Sequence, residues 1–240
     1  MSRVFAFGCS FTQYYYPTWA DIIGHGKEYY NCARIGSGNQ LIANRIVDAH
    51  TQMRFTSDDT ILVMWSNFFR DDYFVDGWQT KGNIFFSNKE HYDLEYYVYR
   101  DCNAITNTLL MLAHTGALVI DTSINNPYKD DLLIKDNSIK NILEQYRTFV
   151  HPKQKTITEH CWYPNIEQDK TRPQYQKDGV WHIEDHPLPA EHLSYVTDVL
   201  NTQVSSEAKN MVDTWSKRLY NSDSKYDTIF ESTKKIKWAL

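Results

Sequence analysis

The stretch Val4-Phe5-Ala6-Phe7-Gly8-Cys9-Ser10-Phe11-Thr12 decides how this chain is read. Four apolar residues in a row, without alternation, mark a strand buried on both faces, and Gly8 ends the run. Beyond the turn, Pro17 to Ile23 predicts a short helix with Pro17 in its first turn. A serine placed between such a strand and a helix can present its hydroxyl outward, beside backbone N–H groups able to stabilise an oxyanion. The same residues also suit a plain strand-to-helix turn in which Ser10 or Thr12 caps a helix.

Outward from there the pattern repeats. Tyr29 to Cys32, Ile61 to Trp65 and Ala117 to Ile120 read as further buried strands. Between them, Ile42, Ile46, Val47 and His50 recur at helical spacing, and Tyr92 to His114 reads as a long helix closed by Gly116. Strands alternating with helices predict an α/β fold, a parallel sheet covered on both faces. Asp131 to Val150 carries a helical pattern, and Leu188 to Trp215 reads as a closing helix interrupted near Val204-Ser205-Ser206. One domain over 1–240 is expected, with an insertion around 70–92, a loop region around 151–183 and a charged tail at 221–240.

Composition excludes several classes. The net charge of -5, without a long basic run, does not favour nucleic acid. Cys9, Cys32, Cys102 and Cys161 are scattered with no CxxC pair, so they read as reduced thiols, neither a disulfide frame nor a zinc site. No stretch approaches the ~20 apolar residues of a membrane span, and the N-terminus has no signal-peptide pattern. A cytoplasmic protein, or one delivered by a route the sequence does not show, is expected. Tyrosines number 17, which suits either a sugar- or partner-binding surface or a half-buried core boundary.

Four strand ends or turns could carry chemistry. Gly8-Cys9-Ser10 is the first. The second is Gly36-Ser37-Gly38-Asn39, whose glycines let a backbone approach a ligand closely; a flexible loop capped at Asn39 is the plain alternative. The third is Ser66-Asn67-Phe68-Phe69-Arg70, where the Asn67 amide could donate to an oxyanion and Arg70 could bind a substrate carboxylate or a neighbouring acid. The fourth is Glu184-Asp185-His186-Pro187: an acid beside a histidine can fix its tautomer and stabilise the imidazolium, although such pairs are often mere surface contacts.

In this order the four segments resemble the sequence blocks of the SGNH/GDSL hydrolases, and His186-Pro187-Leu188-Pro189-Ala190-Glu191-His192-Leu193 resembles those of phage-associated and environmental members. The resemblance implies a three-layer α/β/α sandwich, flavodoxin-like in arrangement. It makes Ser10 the nucleophile, His186 its base, and Ser10 N–H, Gly36 N–H and the Asn67 amide the oxyanion hole. No metal or organic cofactor is implied, and the substrate would be a small-molecule or carbohydrate ester, with carbohydrate O-deacetylation the leading expectation. Two departures leave alternatives open. Ile183 stands where the family usually has its acid, so Glu184, Asp185 or a bare Ser–His dyad remains. Asn67 is followed by Phe68 in place of aspartate, so Arg70 could occupy the oxyanion region instead. A catalytically silent binding or virion structural module and an O-acyltransferase are the competing functions.

Overall fold

A computed structural model describes residues 2–83, 93–161, 169, 171–177 and 180–221. Three strands come first, β1 (Arg3–Phe7), β2 (Glu28–Asn31) and β3 (Thr60–Trp65), then a hairpin of β4 (Arg70–Phe74) and β5 (Trp78–Asn83), then β6 (Leu118–Ser123). Strands β2, β1, β3 and β6 form, in that order, a four-stranded parallel sheet. The apolar runs are continuous because both faces are covered. Phe5, Phe7, Ile61, Val63 and Trp65 pack with Ile42 and Ile46 of α2 (Asn39–Met53) and Val98, Cys102 and Ile105 of α3 (Leu94–Ala113). Val4, Ala6, Leu62 and Met64 point the other way, onto Trp19, Ile22 and Ile23 of α1 (Trp19–Gly24) and onto Tyr195, Val196 and Val212. Each buried Val, Leu, Ile, Phe or Met among them contributes about 1.5–3 kcal/mol by leaving water.

Several expectations need correction. The β6 ladder runs through Asp121-Thr122-Ser123, because its backbone stays paired as far as Trp65↔Ser123 whatever the side chains. The run 131–150 is three helices, α4 (Asp131–Ile134), α5 (Asn137–Gln145) and α6 (Arg147–Val150). Asp136 divides it: its carboxylate accepts from the Ser138 and Ile139 N–H groups and starts a new helix. The region 151–183 is not simply loop, since it holds α7 (Ile157–Cys161) and an antiparallel pair, β7 (Gln174–Lys177) and β8 (Val180–Ile183). The closing helix is interrupted where expected, at 201–205: α8 (Pro189–Ser194) and a π-helical turn at Tyr195–Val199 precede the break, and α9 (Ser206–Asn221) follows it. Around 70–83 the insertion is the β4–β5 hairpin; the rest of it, and the tail beyond 221, lie outside the described residues.

One topological feature places the site. Strand β1 has β2 on one side and β3 on the other, while α1 and α2 cover opposite faces, so the connections diverge at β1. Such a switch point leaves a crevice at the carboxyl ends of the strands. Ser10 follows β1, Gly36 follows β2 and Asn67 follows β3.

Candidate active site

Ser10 sits in a turn closed by the Thr12 and Gln13 N–H groups, which donate to the Cys9 carbonyl at 2.9 and 3.0 Å. Gly8 permits the turn: a Cβ there would lie 2.2 Å from Thr12 Oγ1 and 3.2 Å from the Met64 carbonyl oxygen. Neither Ser10 nor Thr12 caps α1. The helix starts at Thr18, whose N–H and hydroxyl both donate to the Asp21 carboxylate at 2.8 Å, and Thr12 Oγ1 instead accepts from the Trp19 indole. The Ser10 hydroxyl is left for another partner. That partner is His186, 176 positions away, whose Nε2 lies 3.0 Å from Ser10 Oγ.

The imidazole is held on three sides. Its ring stacks on Tyr14, with centroids 4.1 Å apart, and meets Phe11 at an angle. Nδ1 faces two carboxylates, Glu184 Oε1 at 3.2 Å and Asp185 Oδ1 at 3.0 Å. Since a carboxylate only accepts, the neutral ring keeps its proton on Nδ1, and in that form Nε2 accepts from the serine hydroxyl. The two acids differ in setting. Glu184 is fully buried, and its Oε1 also accepts from the His186 backbone N–H at 2.9 Å and from the Tyr14 hydroxyl at 3.3 Å. Asp185 has a side chain that is 56% exposed. Burial opposes charging the imidazole, but the hydrogen bonds and charges of Asp185 and Glu184 outweigh it, and the His186 pKa rises to about 9. The hydrogen bond from His186 in turn holds Asp185 below its ordinary value.

Arg172, just before β7, is a residue that sequence reasoning missed. Its buried guanidinium donates to the Glu184 carbonyl at 2.8 Å, to the His186 carbonyl at 2.7 Å, and to both oxygens of Glu191 on α8. Glu191 Oε2 also accepts from the Leu188 N–H at 2.6 Å. One cation therefore clamps the whole turn that carries acid and imidazole. An isolated arginine in a polar stretch gives no sequence signal for this, because two of its partners are backbone carbonyls and the third, Glu191, stands 19 positions away. His192 lies close by on α8, buried; burial and then the charge on His186 lower its pKa to about 3, so it stays neutral.

The remaining candidates, Gly36, Asn67 and Arg70, follow β2 and β3. Gly36 adopts a left-handed backbone, φ 86°, and its carbonyl accepts from Thr80 Oγ1 of β5 at 2.6 Å. Asn67 Oδ1 accepts from the Phe69 N–H at 3.2 Å, so the amide orientation is set, and Nδ2 has no acceptor among the described residues. Arg70 Nη1 donates to the Ser37 carbonyl at 3.0 Å, which ties it to the Gly36–Gly38 turn. Tyr73 and Phe74 stand exposed on β4. Among the described residues, Glu184, Asp185 and His186 are the sole group with three metal-ligating atoms gathered together, and the carboxylate–Nδ1 hydrogen bonds account for that gathering.

A hydroxyl within hydrogen-bond reach of a base, itself oriented by an acid, is the arrangement that activates a serine for attack. No protein-family model matches this chain, and no curated protein matches it.

Proposed function

We propose that the chain is a serine esterase of the SGNH type, built on that family's three-layer sandwich, which transfers an acyl group to Ser10. The observation that carries the reading is the 3.0 Å contact between Ser10 Oγ and His186 Nε2 at the carboxyl edge of the sheet. His186 takes the serine proton as Oγ attacks the ester carbonyl and returns it to the leaving alcohol; water then repeats the cycle on the acyl-enzyme. The oxyanion is held by the N–H groups of Ser10 and Gly36 and by the Asn67 amide. Glu184 is the orienting acid, on account of its burial and its second bond to the His186 backbone. That assignment would supply the acid that Ile183 cannot.

The test is turnover of p-nitrophenyl acetate by wild type, Ser10→Ala and His186→Ala, with fluorophosphonate labelling in parallel. Wild type should turn over and label, and both variants should lose turnover by roughly 10³-fold or more. Labelling that persists in Ser10→Ala removes the serine from its role.

A further inference from the structure

We infer that Asn39, backed by Asp101, is the positioning residue that sets the spacing of the two oxyanion donors, Gly36 and Asn67. This rests on the reading of Ser10 as nucleophile. Asn39 is the first residue of α2, directly behind the Gly36-Ser37-Gly38 turn, and is fully buried. Its side chain grips Ser66, the residue before Asn67, by both backbone groups: Ser66 N–H donates to Asn39 Oδ1 at 2.8 Å, and Asn39 Nδ2 donates to the Ser66 carbonyl at 3.1 Å. An adjacent strand would ordinarily make such a pair of bonds, but β1 has already ended at Phe7. The amide replaces the missing strand and holds the chain where it leaves the sheet.

The grip works in one orientation only. An amide turned over would set its N–H₂ group against the Ser66 N–H. The second Nδ2 hydrogen goes to Asp101 Oδ2 at 3.0 Å, and a carboxylate can only accept, so Asp101 selects the correct orientation. Asp101 is itself buried on α3 and paired with Arg100 at 2.8 Å, and Arg100 also reaches Asp71 and the Arg70 carbonyl. On the other flank the glycine turn is pinned by Asp72, which accepts from the Gly38 and Leu41 N–H groups at 3.0 Å each. Gly36 is thus fixed to the hairpin, Asn67 follows the residue that Asn39 holds, and Asn39 joins the two. With the Asn39 amide bonded to Ser66 and Asp101, and Asp101 held by Arg100, the network has little freedom to drift, which is what a preformed oxyanion hole requires.

The experiment compares wild type, Asn39→Ser and Asp101→Asn in the full chain. It reads kcat and KM on p-nitrophenyl acetate, and the inhibition constant of phenylboronic acid, which forms a tetrahedral adduct on a nucleophilic serine. Asn39→Ser should lower kcat roughly 10–100-fold with KM nearly unchanged and weaken the boronate by a similar factor, and Asp101→Asn should move both the same way by less. A kcat within about twofold of wild type in either folded variant overturns the proposal. A fall in kcat with an unchanged boronate constant reports less folded enzyme and overturns it as well. If Asn39→Ser does not fold, Asp101→Asn decides alone. Should wild type neither turn over the ester nor bind the boronate, the esterase reading fails first.

Discussion

At the scale of single residues, two carboxylates compete for one imidazole proton. Asp185 is exposed, so water screens its attraction for the ring, whereas Glu184 acts from inside the protein and holds the histidine backbone too. Glu184→Gln should therefore lower kcat/KM by about 10²-fold or more, and Asp185→Asn by less than ~10-fold. Equal losses would show that the two acids share the role. The same carboxylates raise the His186 pKa to about 9. A general base must be neutral, so kcat/KM should climb with pH along a limb whose midpoint approaches 9, and Glu184→Gln should move that midpoint down. Sequence carried part of this site. Ser10, His186 and both acids are visible because each stands in a short motif at a predicted strand end or turn. Tyr14 and Arg172 are not, since stacking on a ring and bonding to carbonyls leave no spacing to read.

At the scale of elements, the turn 184–188 owes its shape to the β7–β8 pair on one side and α8 on the other, joined through Arg172 and Glu191. Lysine keeps the charge but not the fork, so Arg172→Lys should leave one carbonyl unbonded and lower kcat several-fold. Comparing kcat with the urea midpoint of unfolding separates this from a general loss of stability. Gly8→Ala presses on Thr12 across the Ser10 turn and should destabilise by about 1–3 kcal/mol, read from the same midpoint. The two central strands, β1 and β3, were legible because burial on two faces leaves mainly apolar residues to choose from, whereas the flanking strand β6 is only partly covered, with Leu118 exposed, and its polar end Asp121-Thr122-Ser123 carries no such signal. The β7–β8 pair was not, although Asp178-Gly179 is a dipeptide favoured in hairpin turns, because Gln174 to Ile183 is too polar to stand out as strand. The divided run 131–150 was hidden by periodicity that continues across the Asp136 cap.

At the scale of the whole molecule, the raised histidine pKa links activity to stability with opposite signs. A group whose pKa rises from 6.5 to about 9 on folding adds stability that is complete below pH 6.5 and disappears as pH passes 9. The amount is on the order of 3 kcal/mol, since the side chain is only 22% exposed. The fold should thus lose stability across the range where the base becomes active. His186→Ala should flatten the difference between urea midpoints at pH 6 and pH 9.5 relative to wild type; an unchanged difference would place the linkage elsewhere.

The 176 positions between hydroxyl and imidazole also order events in time. A ribosome adding roughly 5–20 residues per second delivers the serine about 9–35 s before the histidine. If Ser10 and His186 form the proposed pair, the emerging chain carries through that interval a serine without its base, and reactivity would arrive only with the segment that bears His186.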